Sequence, residues 1–215
     1  MKTITLSTPV HERDPDTWLV LGSGPNRDGW EVFAEQHKAN VICCNGSLML
    51  CSNPSSYVAT DIVAKLAYKY LYESLPVRIF IGRESIEAIN PSYQINSTRV
   101  RTVAVWATYI SLNVFNAKHV HLFGVYGSTS RAWSSISFLS GTYKCQKEYE
   151  KAVKINTNKS KVPLPVVLAY QGSPDESNTN TASHLRHLQH THPNASITIH
   201  GGGPVSELFA SMPNP

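Results

Sequence analysis

The stretch TWLVLGSGP at residues 17–25 sets the pattern that the rest of the chain repeats. Its apolar half has the length and composition of a buried β-strand, and Gly-Ser-Gly-Pro is typical of the turn that ends one. Residues 28–38 then predict a helix, and the apolar run 40–44 predicts a second buried strand that ends at Asn45 and Gly46. A strand, a helix and a strand in this order favour parallel pairing.

The same alternation continues to the end of the chain. Thr102 is a candidate N-cap, and the apolar residues after it recur every three or four positions up to Val114, which predicts an amphipathic helix. The polar stretch 125–162 predicts a small lid insertion, because long loops in compact domains are often functional. The predicted strands cover 17–22, 40–44, 57–59, 77–81, 119–124, 164–169 and 196–200, and the predicted helices cover 28–38, 62–74, 103–114, 143–153, 178–191 and 204–211.

This order of elements predicts an α/β fold, a Rossmann-like and mostly parallel sheet with helices on both faces, in a single domain over residues 1–215. The chain is 41% hydrophobic and 16% charged, which excludes a coiled coil, a collagen and a long disordered tail. Its net charge of +4 is too small to indicate nucleic-acid binding. The four cysteines form no Cys-x-x-Cys pair, so we expect no zinc ribbon. No apolar run has signal-peptide or transmembrane length, which predicts a soluble, cytoplasmic protein.

Candidate ligand-binding residues follow the predicted strands, because open α/β sheets bind ligands beyond the carboxyl ends of their strands. The two glycines in GSGP at 22–25 let a backbone approach a ligand, and the N-terminus of the next helix favours an anion. The motif is not a complete G-x-G-x-x-G, since Arg27 occupies the last position, and an ordinary turn explains it equally well. Asn45 can hydrogen-bond a ribose or a phosphate, although Asn-Gly is also simply a turn signal.

Later strand ends carry further polar or glycine-rich loops. Asp61 follows the third strand, where capping a helix is the simpler role and binding a ligand the alternative. Tyr126 lies in the loop after the 119–124 strand, and 170–176 follows the 164–169 strand. The glycines 201–203 open the last helix and form a second candidate anion nest. Their shared place at one edge of the sheet favours a nucleotide site.

Three segments together resemble the bacterial sialyltransferases of glycosyltransferase family 42 and the related 6-hydroxymethylpterin diphosphokinase-like proteins. They are VLGSGP at 20–25, ICCN at 42–45, and the helix after Thr102 with the strand that ends at Gly124. The closing segment is similar too, with ESNTN at 176–180 followed by a helix, a strand and a last helix. The resemblance covers most of residues 17–213, with sparse identities.

The resemblance implies a cytidine-nucleotide donor bound without a metal or other cofactor. Ser23 replaces the family asparagine, and Tyr126 stands where the family has an aspartate. The family's catalytic histidine falls on Asp175, with Glu176 adjacent, and a buried carboxylate can serve as the general base. Lid tyrosines act on the leaving phosphate in the family, and Tyr126 and Tyr143 are candidates here. The implied donor-binding residues are Gly22, Ser23, Gly24, Pro25, Asn45, Gly124, Tyr126, Asn178, Thr179, Gly201, Gly202 and Gly203.

Three functions follow as expectations. The first is a metal-independent glycosyltransferase that moves a sugar from a CMP-sugar, or a similar nucleotide-sugar donor, to the hydroxyl of a glycan or other acceptor. The second is a pterin pyrophosphokinase-like phosphotransferase, which would need Mg²⁺ and would make Asp61 a ligand. The third is a degenerate transferase that only binds a nucleotide. The family resemblance also implies a homo-oligomer.

Overall fold

The computed structural model describes residues 3–24, 26–60, 69–81, 102–127 and 174–213. It contains a six-stranded sheet in which every strand pair is parallel, so the predicted α/β, Rossmann-like class is confirmed. The strands are β1 (Asp14–Leu21), β2 (Ala39–Cys44), β3 (Ser56–Ala59), β4 (Arg78–Ile81), β5 (His119–Phe123) and β6 (Ser196–Ile199).

The helices separate these strands along the chain. The predicted strand at 164–169, the predicted helix at 143–153 and all but the first three residues of the predicted lid lie outside the described residues. The helices are α1 (Trp30–Gln36), α2 (Lys69–Tyr72), α3 (Val103–Asn113), α4 (Pro174–Thr191) and α5 (Pro204–Ser211), with short 3-10 turns at Val10–Glu12 and Asn45–Met49.

The strand order is β4-β3-β2-β1-β5-β6, so β1 is central. Strands β2 to β4 follow on one side of it, and β5 and β6 on the other. β1 pairs with β2 on one side and with β5 on the other, and Leu21 lies beside both Cys43 and Phe123. The carboxyl ends of β1 and β5 are therefore the topological switch point, where open parallel sheets leave a crevice.

Two apolar clusters take alternate residues of the central strands. Trp18 and Val20 belong to the cluster that contains α3 and α4, whereas Leu19 and Leu21 belong to the cluster that contains Trp30 of α1. Successive strand residues point to opposite faces of a sheet, so the described helices contribute to packing on each face. This explains why the whole run 17–21 is buried and apolar rather than alternating.

Helix α3 corrects one sequence prediction. Every residue from Ala104 to Leu112 is buried, so α3 is a helix buried all round and not an amphipathic one. Two of its hydroxyl groups bond within the helix, since Thr108 donates to the Ala104 carbonyl at 2.8 Å and Ser111 to the Ala107 carbonyl at 2.9 Å. Within the described residues, no helix combines the length and apolar character needed to cross a lipid bilayer.

Candidate functional site

A cavity of about 200 Å³ opens at the switch point, and we call it the switch-point cavity. The exits of β1, β2 and β5 form one part of its wall, and the first turns of α3, α4 and α5 form the other. Its described lining residues are Gly22, Ser23, Gly24, Cys44, Asn45, Thr102, Val103, Ala104, Gly124, Val125, Tyr126, Gly127, Ser177, Asn178, Thr181 and Val205.

The glycine loop after β1 packs against the loop after β5. The Gly22 N–H donates to the Phe123 carbonyl and the Gly24 N–H to the Gly124 carbonyl, both at 2.7 Å. A Cβ on Gly22 would overlap the Gly124 carbonyl, and one on Gly24 would lie 2.5 Å from its oxygen. Close contact between two backbones therefore requires these glycines, and both N–H groups already have acceptors within the protein.

Helix α3 brings its N-terminus to the cavity, whereas helix α1, whose N-terminus the sequence pattern predicts there, does not. The loop after Gly24 turns back on itself, with Arg27 Nη1 donating to the Gly24 carbonyl at 2.8 Å. Helix α1 starts only at Trp30, after Gly29 in a left-handed conformation, and contributes no described lining residue. Val103 and Ala104 of α3 line the cavity instead.

Asn45 is the most unusual polar residue of the cavity wall. It is 5% exposed and has a left-handed backbone, with a φ of 49°. Ser47 holds the turn by donating to the Leu21 carbonyl and accepting from the Cys44 N–H. Among the described residues, the buried Asn45 Oδ1 has no hydrogen-bond donor. An unpaired buried acceptor costs about 1–3 kcal/mol, so Asn45 Oδ1 is a candidate ligand contact.

Thr102 and Thr181 form a pair of hydroxyl groups across the cavity wall. Their Oγ1 atoms lie 2.7 Å apart, and either can donate to the other. Thr102 is the N-cap of α3 by backbone position, but its side chain makes no capping hydrogen bond. The first-turn N–H groups of α3 therefore lack the side-chain acceptor that a capping threonine usually provides.

The described cavity wall is electrically neutral. Its described lining residues include no carboxylate, imidazole, amine or guanidinium, and burial raises the pKa of the Cys44 thiol above its ordinary value. No group of three or more His, Cys, Asp or Glu side chains within the described ranges is arranged to hold a metal ion. The remaining electrostatic feature is the N-terminus of α3, which favours an anion without a charged side chain.

The structure brings together many of the predicted site residues, and others lie elsewhere. Thr179 is exposed and does not line the cavity, and neither do the glycines 201–203. Gly201 packs against Asn26, and Gly203 packs against the ring of Tyr126, so this loop supports the wall from behind. The predicted residues that line the cavity are Gly22, Ser23, Gly24, Asn45, Gly124, Tyr126 and Asn178.

Some predicted residues cannot be placed against the cavity. Pro25, Asp61 and Tyr143 lie outside the described residues. Asp175 and Glu176 fall in the first turn of α4, directly before two lining residues, and the description there covers the backbone only.

Sequence reasoning misses several lining residues on the helices. The sequence indicates only a helix cap at Thr102, and it predicts no role in the site for Val103, Ser177 and Thr181. Thr102, Val103 and Ser177 lie near the start of a helix, which is a visible signal, whereas Thr181 lies two turns into α4. The sequence does not show which helix starts line the cavity. That depends on the strand order, which brings α3 and α4 together beside β1.

A second group of polar side chains lies on the other face of the sheet. We call His37, His121 and His200, with Phe33 and Phe123, the imidazole cluster. His121 Nδ1 and His200 Nε2 lie 3.0 Å apart, and His200 stacks on Phe123 with 4.1 Å between ring centroids. Burial, followed by the neighbouring His200, lowers the pKa of His121 to about 4, and burial lowers the pKa of His200 as well.

Comparison with protein-family models, with curated proteins and with solved structures found no match to this chain. The family expectation therefore continues to rest on the sequence motifs at 20–25, 42–45, 102–124 and 176–180.

Proposed function

We propose that the switch-point cavity binds the nucleotide part of a CMP-sugar or similar nucleotide-sugar donor, and that the protein is a metal-independent glycosyltransferase. The acceptor is the hydroxyl group of a glycan or of another molecule. The observation that carries the proposal is the buried Asn45 Oδ1, which lines this cavity without a donor among the described residues. Proteins rarely leave such an acceptor unpaired, and a ligand hydroxyl or amino group would satisfy it.

The position and chemistry of the cavity support a phosphorylated ligand. The cavity lies at the switch point of a parallel sheet, where nucleotides bind in many doubly wound folds. The N-terminus of α3 offers N–H groups to a phosphate. The volume of about 200 Å³ is below the range of about 300–1,000 Å³ that drug-sized ligands occupy. It suits a phosphate with part of a nucleoside, so the transferred sugar would extend beyond the described wall.

The chemical step would be a single displacement. The Asp175 carboxylate removes the proton from the acceptor hydroxyl, and the acceptor oxygen forms a bond to the anomeric carbon. The bond between that carbon and the phosphate oxygen breaks, and CMP leaves with the electron pair. Hydrogen-bond donors aimed at the phosphate would stabilise the charge that develops on it, which is commonly the largest contribution to such catalysis.

A nucleotide-binding protein without transferase activity is the second candidate. The neutral cavity wall favours it, because the described lining residues include no carboxylate or imidazole that could act as a base. A single measurement distinguishes the two candidates, because a transferase releases sugar from a bound donor and a binding protein does not.

A thermal-shift screen tests the binding step. CMP, CDP, UDP, GDP and ATP are each added with and without Mg²⁺, and we expect CMP to raise the melting temperature without the metal. A ligand at 100 times its Kd adds about 2.7 kcal/mol of stability. Asn45→Ala should abolish the shift, whereas Asn116→Ala should keep it, since Asn116 has a similar φ of 54° but is exposed. A shift only with ATP and Mg²⁺ would favour the pyrophosphokinase alternative, and no shift with any nucleotide would reject the proposal.

A donor-hydrolysis assay then separates the transferase from the binding protein. We expect CMP release from a CMP-sugar by the wild-type chain, and loss of that release in Asp175→Asn with CMP binding retained. Glu176→Gln removes the adjacent carboxylate, the other candidate base, and loss of release in that variant alone would move the role of the base to Glu176. Tight CMP binding with no release by the wild-type chain would favour the second candidate.

A further inference from the structure

The glycine loop cannot supply most of the contacts that an anion in this cavity would need. Both of its glycine N–H groups donate to carbonyl groups of the β5 exit, at 2.7 Å. A phosphate that recruited them would have to break two hydrogen bonds that join neighbouring strand ends. The donors for an anion must therefore come from another part of the wall.

Helix α3 offers those donors. Val103 and Ala104 line the cavity, and as the first two helical residues their N–H groups have no acceptor within the helix. The side chain of the N-cap Thr102 does not cap them. The helix is 11 residues long and buried from Ala104 to Leu112, so solvent screens its dipole little along most of its length.

The threonine pair beside this helix end adds one hydroxyl proton. When one of the Thr102 and Thr181 hydroxyls donates to the other, the accepting hydroxyl keeps its own proton for a further acceptor. Thr181 is 5% exposed, so that proton can be directed at a ligand in the cavity rather than at bulk water. Asn45 points to a ligand independently, since its buried Oδ1 lines the same cavity with no donor among the described residues.

We propose that the phosphate of the ligand binds at the N-terminus of α3, held by the N–H groups of Val103 and Ala104 and by the hydroxyl pair of Thr102 and Thr181. The inference rests on the proposed function, and it replaces the Gly22–Gly24 loop as the main phosphate contact. Asn45 Oδ1 then accepts a hydrogen bond from the uncharged part of the same ligand.

Calorimetric titration with CMP, with cytidine and with inorganic phosphate tests the inference. Thr102→Val and Thr181→Val keep the side-chain shape and remove one hydroxyl each. We expect each to weaken CMP binding by roughly 10- to 100-fold, as for a hydrogen bond to a charged group, and to leave cytidine binding within about twofold. Thr102→Ser, which keeps the hydroxyl, should bind CMP nearly as the wild-type chain does.

Thr108→Val is the matched control, because Thr108 lies on the same helix and bonds only to the Ala104 carbonyl among the described groups. It should leave CMP binding unchanged. An equal loss of CMP binding in Thr108→Val and Thr102→Val would trace the effect to the stability of α3 and overturn the inference. The inference is also overturned if Thr102→Val and Thr181→Val bind CMP as tightly as the wild-type chain, and the proposed nucleotide site then stands.

Titration with inorganic phosphate distinguishes failure of this inference from failure of the proposed nucleotide site. If the wild-type chain binds phosphate but neither CMP nor cytidine, and Thr102→Val removes phosphate binding, the phosphate position is right and the nucleotide proposal is wrong. If the wild-type chain binds none of the three probes, both are wrong.

Discussion

The switch-point cavity and the imidazole cluster lie against opposite faces of one sheet, and both place polar groups beside an apolar core. The cavity presents neutral groups, one of them the buried Asn45 Oδ1. The cluster presents imidazoles, with His121 and His200 3.0 Å apart, that pack against Phe33 and Phe123. His121 and His200 bond to each other, whereas Asn45 Oδ1 has no donor among the described residues.

Under the proposed function, this difference separates the binding role of Asn45 from the structural role of the histidines. A histidine attracts functional interest because of its chemistry, yet the two half-buried histidines here satisfy each other, and their lowered pKa values follow from burial. An asparagine attracts less interest, yet Asn45 carries a cost that folding alone does not recover. The unpaired acceptor of Asn45, and not a titratable group, is therefore the observation that supports the proposed site.

The largest effect should come from Gly22→Ala, which tests whether the cavity rim is set by backbone packing. The new Cβ would overlap the Gly124 carbonyl, and backbone cannot move aside as a flexible side chain can. We expect a loss of about 3 kcal/mol in the free energy of unfolding, measured by urea denaturation. Gly29→Ala is the control, since nothing lies within 4 Å of its Cβ position and only its φ of 80° is unfavourable.

A loss of about 1 kcal/mol is expected for Gly29→Ala. Equal losses in the two variants would mean that contact with the β5 exit does not explain Gly22. Direct contact with the ligand would then be the remaining explanation for the glycine motif. The Gly22–Gly24 loop, and not α3, would be the main phosphate contact.

The sequence predicts the six described strands, and it predicts only some of the residues that line the cavity, for different physical reasons. The run at residues 17–22 is apolar because β1 is covered on both faces, so its composition is a local record of its burial. The last helix is predicted at 204–211, as observed, because a proline after three glycines marks its start. Asn45 is found because it ends an apolar run.

The remaining site residues depend on contacts between distant parts of the chain. Thr102 and Thr181 are 79 positions apart, and nothing local indicates that their hydroxyls meet. The partner of the Gly22–Gly24 loop is equally remote, since only the strand order brings Gly124 beside it. The amphipathic interpretation of α3 fails because the residues between its apolar positions are small, aliphatic or aromatic, and those from Ala104 to Leu112 are buried as well.

Acid should act on the imidazole cluster and leave the cavity unaffected. The pKa of His121 is about 4 in the folded chain, below its ordinary value of 6.5, so the unfolded chain takes up a proton first as the pH falls. The stabilisation from the neutral ring is complete above pH 6.5 and is lost as the pH falls towards 4. His37 and His119 also face His121 and add to the repulsion once charged.

Between pH 7 and pH 5 we expect the free energy of unfolding to fall by about 1–2 kcal/mol for His121, a value reduced for its partial exposure, and His200 adds to the fall in the same direction. Urea denaturation at several pH values measures this fall. His121→Gln should flatten the dependence, and His190→Gln, at an exposed position on α4, should not. A steep dependence that survives His121→Gln would remove the contrast between the two regions.

A smaller effect should appear when the unpaired acceptor of the cavity is removed. Asn45→Gly deletes the buried Oδ1 and relieves the left-handed backbone, so we expect the unliganded protein to gain stability. Asn116→Gly relieves a similar backbone, with a φ of 54°, at an exposed position. The gain in Asn45→Gly should exceed that in Asn116→Gly by about 1 kcal/mol in urea denaturation. Equal changes would show that Asn45 has no uncompensated polar atom.

The smallest effect concerns Cys44, the lining residue with a reactive side chain. It is 1% exposed, and burial raises the pKa of its thiol, so the thiolate that alkylating reagents attack is scarce at mildly alkaline pH. We expect iodoacetamide to leave Cys44 unmodified in the native protein and to modify it in urea, as located by mass spectrometry of the peptides. Rapid native labelling would mean that the cavity wall carries a titrating nucleophile, and the contrast between a neutral cavity and a titratable cluster would fail at that residue.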